Sequence, residues 1–336
     1  MKLERLQDVL RDNDLDGCLL TSDDPNFRYY VQQYVMSAKL FVPATGAPTI
    51  FTHRLEEVDH DFNVVTEDDD TLQEFFTARS LERVGVNLNS LGASSYLAWQ
   101  DLASLDDIGD ELERIRMVKT SQELQYLRQA ALVADDIMEG VVENFSFDTE
   151  GEIRTYIKTA MSKRGVEQSF EPVVASERAA AVPHYFGDKE LREGFLLIDM
   201  GVKVNGYCSD ITRTFYLGSP SRDERELYEK VRSVQESCIA RCQPGQSCSE
   251  LFSYAKERLG DAFVHGLGHG VGLAIHELPN LKETSEDTFE KDMVVTVEPG
   301  YYDRDERVGI RIEDDVLIRG EEPQVLTETP KELMTL

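Results

Sequence analysis

The dipeptide Asn205-Gly206 sits between two β-prone runs, one from Phe195 to Val204 and one from Tyr207 to Phe215. An Asn-Gly pair in that setting signals a two-residue hairpin, because both central residues of the favoured turn need a positive φ. A turn there fixes an antiparallel register in which 204 faces 207 and 199 faces 212. Asp210 then lies two residues from the partner of Asp199, on the same face and within reach of a shared ion. Asp199 is embedded in the run Leu197-Ile198-Asp199-Met200. An ionised carboxylate in such a run is costly to bury without a cation or a hydrogen-bond network. A solvent-exposed hairpin with incidental acids is the alternative, and the unbroken apolar run argues against it.

Two more acids stand in similar settings. Glu298 closes the run Val294-Val295-Thr296-Val297 just before Pro299-Gly300, and Glu313 lies in a second strand pattern, with Arg311 on the same face by period two. Between the two pairs of acids, His265, His269 and His276 fall within a short stretch that also holds Gly266, Gly268, Gly270 and Gly272. Four glycines make a helix improbable, and the Glu of a His-Glu-x-x-His zinc helix is missing. The stretch reads as a Gly-rich extended segment that lets backbone and imidazoles approach a ligand. Asp199, Asp210, His269, Glu298 and Glu313 together make an oxygen-rich shell with one nitrogen. Such a shell suits two divalent cations, Mn²⁺ or Co²⁺ before a thiolate-type zinc. Two such ions polarise a carbonyl and generate a hydroxide nucleophile near neutral pH.

The remaining chain has room for two domains in its 336 residues. Over 1–114, short strand patterns at Gly17–Thr21, Phe41-Val42, Thr49–Phe51 and Arg83–Asn87 alternate with helical stripes, which predicts an α/β layer. No phosphate-binding glycine loop occurs there, so this part reads as scaffold or specificity. Over 115–336, the patterns Thr120–Glu123, Thr149–Glu152, Ser221–Glu224 and Ser247–Glu250 each open a helix with a capping residue. Apolar β runs at 195–202, 293–297 and 308–318 predict an α+β domain with a largely antiparallel sheet. The five cysteines are an odd number without a paired framework, which fits a reducing, cytoplasmic setting. Cys238 and Cys242, one helical turn apart, read as helix packing because no further ligands are suitably spaced.

These motifs resemble a known family. Leu197–Gly201 with Ser209–Phe215, the stretch His265–Glu277, Val297–Gly300 and Gly309–Asp314 are similar to the creatinase/aminopeptidase P/prolidase group, the "pita-bread" metallopeptidases of family M24. The likeness extends over the whole chain, with a creatinase-like N-terminal α/β domain over 1–114 and a pita-bread catalytic domain with a curved sheet over 115–336. The resemblance implies that Asp199, Asp210, His269, Glu298 and Glu313 ligate two metal ions, with Asp210 and Glu313 bridging. It implies that Glu298 shuttles the proton of a metal-bridging hydroxide. It makes His184, in Val182-Pro183-His184-Tyr185, together with His265 and His276, catalytic and substrate-side residues, and Arg311 an orienting residue for a ligand carboxylate or for the metal ligands.

The activity implied is hydrolysis of Xaa-Pro bonds in a small peptide with proline at the second position, by a cytoplasmic homodimer similar to the shorter archaeal and bacterial Xaa-Pro dipeptidases. Glu177, where relatives commonly carry Gly, and Asn280, where some dipeptidases carry an Arg for the dipeptide carboxylate, depart from the pattern. They leave longer peptides or another small amide open as substrates. A non-catalytic peptide-binding module is a further alternative, but such modules usually lose metal ligands, and all five are present.

Composition bears on partners and environment. With 35 Lys+Arg against 64 Asp+Glu, the net charge is −29, which excludes general binding to nucleic acid or an anionic membrane. No apolar run is long enough to span a bilayer, and the first residues lead into no signal-peptide segment. Arg outnumbers Lys 23 to 12, and high Asp/Glu with scarce Lys predicts a protein working at high salt. The thermal midpoint should therefore climb as KCl rises from about 0.1 M to about 1 M, where the screening length shrinks from ~10 to ~3 Å. A midpoint indifferent to KCl refutes that reading.

Overall fold

The structure is a computed structural model that describes residues 2–68, 70–183, 185–320 and 322–336. Its contacts divide the chain into two units, Met1–Arg116 and Met117–Leu336. In the first, strands β1 (Gly17–Thr21), β2 (Ala38–Pro43), β3 (Thr49–Thr52), β4 (Asn63–Thr66), β5 (Arg83–Val86) and β6 (Ser104–Asp107) form one mixed sheet. Their order is β4-β3-β2-β1-β5-β6, antiparallel across β1–β2–β3 and parallel elsewhere. Period two puts Leu19, Phe41, Phe51, Val84 and Val86 on a common core with Leu72, Phe76 and Trp99 from the helices Thr71–Arg79 and Ala93–Trp99. This is the expected α/β layer.

In the second unit, every strand ladder among the described residues is antiparallel. Strands β8 (Val173–Ser176), β9 (Gly194–Met200) and β12 (Ile211–Leu217) form one sheet, and β7 (Glu167–Gln168), β10 (Val202–Val204) and β11 (Tyr207–Cys208) a second. A third is ordered β14-β13-β15-β18-β19, from β13 (Gly268–Gly270), β14 (Glu277–Leu281), β15 (Val294–Val297), β18 (Asp314–Leu317) and β19 (Gln324–Val325). Strands β16 (Gly300–Asp303) and β17 (Val308–Arg311) make a separate hairpin.

All four capping patterns start helices. Thr120 and Ser221 close full capping boxes on Ser121–Glu143 and Arg222–Ile239, while Thr149 and Ser247 accept from the third amide of Glu150–Lys163 and Cys248–Leu259. The first two of these helices serve one core and the last two another. Ala134, Ile137, Ile153 and Ile157 from Ser121–Glu143 and Glu150–Lys163 pack on Ile198, Met200, Ile211 and Phe215. Helices Arg222–Ile239 and Cys248–Leu259 pack Val231, Cys238 and Leu251 on Val295, Val297, Ile312 and Val316. Cys242 and Cys248 are buried in the same cluster, so the cysteine pair is packing, as expected.

The 195–215 hairpin keeps the register set by its turn. Asn205 and Gly206 have φ of 51° and 86°, Val204 faces Tyr207, and Thr212 faces Asp199. The apolar run is continuous because β9 is buried on both faces. Leu196, Ile198 and Met200 meet the helices, while Leu197 packs with Val173, Ala175 and Tyr302 on the other side, the side Asp199 shares by period two. The expected run 195–202 breaks at Gly201, where the chain passes from one sheet to the next. A Cβ there would stand 1.9 Å from the carbonyl oxygen of Ser209, so only glycine lets the two arms close beside Asp210. Gly201→Ala should cost about 1–3 kcal/mol by overpacking, read in a denaturant titration. Gly92→Ala, where an added Cβ meets nothing within 4 Å, should cost under about 1 kcal/mol. Equal costs for the two would refute the close-approach account.

Candidate metal centre

The hairpin delivers Asp199 and Asp210 from one half of the second unit, and three other segments deliver their partners from the other. His269 lies at the centre of β13, opposite Asn280 of β14. Glu298 follows the last residue of β15, its amide bonded to the Leu267 carbonyl at 2.9 Å. Glu313 departs from its expected strand position. The run 308–318 is interrupted between β17, paired with β16, and β18, paired with β15. Changing sheets at Ile312-Glu313 leaves Glu313 bridged to Thr212 alone, its amide on the Thr212 carbonyl at 3.1 Å. Thr212, across from Asp199, then donates its hydroxyl to Glu313 Oε2 at 2.6 Å.

The histidine stretch is also less extended than its glycines suggest. Only Gly268–Gly270 is strand, and 272–276 bend back into β14. Added Cβ atoms at Gly268 and Gly270 would stand 2.0 Å from the Thr296 carbonyl oxygen and 2.2 Å from that of Leu278. What these two glycines admit closely is the neighbouring backbone, and that approach lets the Thr296 hydroxyl accept from the His269 amide at 3.0 Å. The bend is held from below by Glu277, which accepts from the Ala274 amide at 3.0 Å and pairs with buried Lys119 at 3.3 Å.

These elements bring Asp199, Asp210, His269, Glu298 and Glu313 to the wall of one cavity of about 480 Å³, together with His265, His276 and Arg311. Ligand atoms of Asp210, His269 and Glu313 all lie within 4.8 Å of one another, and His269 Nε2 is 3.4 Å from Glu298 Oε1. His269 Nδ1 faces the Gly270 carbonyl oxygen at 3.0 Å, which assigns its proton there and leaves the Nε2 lone pair toward the acids. Burial holds His269 below the usual histidine range, so the ring is neutral near pH 7. Arg311 donates to Asp199 Oδ2, to the Thr212 hydroxyl at 3.0 Å and to the Tyr302 hydroxyl at 3.1 Å. His265 Nε2 lies 3.0 Å from the same Tyr302 hydroxyl. His276 is exposed, its ring edge-on to that of His269 with centroids 4.4 Å apart. His184 lies outside the described residues. Glu177 is not among the cavity-lining residues; it takes a φ of 49° and pairs with Arg307 at 3.3 Å.

A model of metallopeptidase family M24 matches residues 125–320, and one of the creatinase/prolidase N-terminal domain matches residues 2–118. The chain belongs to metallopeptidase family M24. It is 32% identical to the uncharacterised peptidase YqhT of Bacillus subtilis, over 100% of both chains. It is 30% identical to an Xaa-Pro dipeptidase of Pyrococcus horikoshii, over 99% of this chain and 98% of that one. The solved Xaa-Pro dipeptidase from Bacillus anthracis superposes with a TM-score of 0.94 at 30% identity, covering 100% of this chain and 99% of that one. The M24 chain thus carries the expected creatinase-like domain followed by the pita-bread domain.

The M24 site fits a cation on the evidence of its own atoms. Asp199 Oδ1 and Asp210 Oδ1 are buried without a hydrogen-bond partner, and such orphans are rare unless an ion or water completes them. Burial, then the mutual repulsion of the acids, pushes Asp210 and Glu313 well above the ordinary carboxylate range. Burial also raises Asp199, against the pull of Arg311. Thr212, Thr296 and Tyr302 escape a sequence reading, since hydroxyls in strands are common; a Thr facing Asp199 across the hairpin was the one available signal.

The sign of the pH effect follows. Between the ordinary carboxylate range and their raised native values, these acids hold more protons folded than unfolded, so metal-free stability falls as pH rises. In molar KCl, the midpoint of chelator-treated protein should drop as pH climbs from about 4 to neutrality, Asp210→Asn should flatten the slope, and Mn²⁺ should raise the midpoint most at the higher pH. A chelated midpoint that rises with pH over this window would refute the repulsion.

Proposed function

We propose that the chain is a dinuclear-metal-dependent Xaa-Pro peptidase, a dipeptidase or aminopeptidase acting on small peptides with proline at the second position. The observation that carries this is the convergence of Asp210, His269 and Glu313 ligand atoms within 4.8 Å, in a cavity that Asp199 and Glu298 also line. The Xaa-Pro dipeptidases of Pyrococcus horikoshii and Bacillus anthracis, similar along their whole length, support it. Four carboxylates and one imidazole favour Mn²⁺ or Co²⁺. Such ions supply Lewis-acid polarisation of the scissile carbonyl and an acidified water.

The protein's own groups do the rest. Asp210 and Glu313, whose ligand atoms lie within 4.8 Å of each other, would be shared between ions. Glu298 exposes 17% of its side chain against 12% for Asp199 and 7% for Asp210. That access suits it to take a proton from the attacking water and give it to the leaving proline nitrogen. His265 and His276, on the cavity wall, would hold the substrate and donate to the developing oxyanion, with His184 in the same role. Arg311 acts by fixing the Asp199 carboxylate and the Tyr302 hydroxyl. Phe170, Val173, Phe186 and Ile275 give the cavity an apolar surface that suits a pyrrolidine ring, whose tertiary amide fits ordinary peptidases poorly. The five cysteines are all buried and free, which supports a cytoplasmic setting, and a homodimer completes the reading. No described helix is long and apolar enough to cross a membrane.

The test is proline release from Gly-Pro, Ala-Pro and Ala-Pro-Ala with Mn²⁺ or Co²⁺ in molar KCl; no turnover of any overturns the proposal. Asp210→Asn should lower kcat more than about 10²-fold and reduce bound metal, several kcal/mol being at stake. Thr212→Val, which frees Glu313 and Arg311 together, should cost about 10- to 100-fold. Full activity in either variant contradicts the assigned site.

A further inference from the structure

The cavity wall is chemically lopsided. Asp199, Asp210, Glu298 and Glu313 occupy it with one guanidinium, Arg311, and that guanidinium is engaged with Asp199, Thr212 and Tyr302. One other permanent cation lines the cavity among the described residues, Lys282. Its side chain is exposed and its ammonium makes no hydrogen bond or ion pair to any described residue. In a chain with 64 acids and only 12 lysines, an unpaired lysine on a cavity wall is a specific feature.

Its placement follows from β14. His269 pairs with Asn280, and the next residue, Leu281, is fully buried in the helix-covered core. Alternation therefore turns Asn280 and Lys282 to the other face, and both line the cavity. The metal-binding acids and Lys282 are thus carried on one continuous wall through the His269–Asn280 pair. Glu171, the remaining acid on the wall, is bonded to Lys158.

We infer that Lys282 reads the free C-terminal carboxylate of the substrate, and so biases the enzyme toward peptides that end at the proline. The inference rests on the peptidase reading above and deepens it. An Asn at 280 offers an amide that can donate to the same carboxylate but carries no charge. The ammonium supplies the charge from two residues further along the strand. Lysine acts as a point charge on a flexible stem, so the preference it gives is graded, and a longer peptide is disfavoured without being shut out.

The test compares Ala-Pro with Ala-Pro-amide, which differ only in that charge, using metal-loaded enzyme at fixed salt. Wild type should favour Ala-Pro by about five- to tenfold in kcat/KM, the scale of one solvent-facing charged contact. Lys282→Met should raise KM for Ala-Pro by that factor, leave kcat and the amide substrate unchanged, and so abolish the preference. Lys282→Arg should restore it. A ratio that Lys282→Met leaves unaltered overturns the inference. If metal-loaded wild type turns over neither compound, the peptidase reading fails separately. Calorimetric binding of L-proline against prolinamide then tests Lys282 alone: a ratio that collapses in Lys282→Met upholds it, and an unchanged ratio overturns it.

Discussion

Like-charge repulsion inside a desolvated cavity is the constraint around which the second unit is organised. Four carboxylates converge there, and the chain offers them one guanidinium, so three negative charges stay uncompensated if all ionise. A polypeptide folds into such an arrangement only if the scaffold is held elsewhere. It is held by two separate helix-covered cores, each rigid enough to carry acids it gains nothing from burying. The hydroxyls of Thr212 and Thr296 and the guanidinium of Arg311 fix the acids in place while offsetting only one of their four charges. That is the preorganisation a metal site requires, with orientation supplied by the protein and charge left for the ion.

The contrast within Glu313-Asp314-Asp315 makes the point sharply. Asp314 is as buried as Glu313, yet its carboxylate stays below the usual range, because Arg213 and Lys331 outweigh the cost of burial. Gln235 and Thr327 add hydrogen bonds at 2.7 and 2.9 Å. Its stability contribution is present above the ordinary carboxylate range and lost below it, the reverse of the site acids. Arg213 meanwhile donates to the Glu313 carbonyl at 2.6 Å, so the satisfied network behind the sheet positions the unsatisfied one in front of it. Asp315 returns to the site side, where it accepts from the Asp210 amide at 3.0 Å.

This explains what could be read from the residues and what could not. Capping boxes and the Asn205-Gly206 turn depend on neighbours a few positions away, so the helix starts and the Asp199–Thr212 register were legible. Asp199, His269, Glu298 and Glu313 stood out because each interrupts or closes an apolar run or a glycine-rich one, and Asp210 because the hairpin register sets it beside Asp199. The break at Ile312-Glu313 was not legible, because it arises from a change of sheet partner, β16 on one side and β15 on the other. Nor was the engagement of Arg311, whose three partners are 9 to 112 positions away. The glycines of the histidine stretch pointed to close approach correctly but not to what is approached. Glu177, which departs from the family pattern, takes a left-handed backbone and pairs with Arg307 outside the cavity lining.

The acidity of the whole chain then acquires a local meaning. All but five of the 64 acids lie outside the metal cavity, and a surface of that sign repels an anionic ligand at low ionic strength. At about 1 M salt the screening length falls to ~3 Å, so the distant surface ceases to matter and only groups in contact are felt. At that ionic strength an acidic surface neither draws a carboxylate in by its general field nor pushes one away. Discrimination then falls to the cation that touches the ligand. A peptide's terminal carboxylate entering beside four acids needs such a contact, and Lys282 stands on the wall to make it.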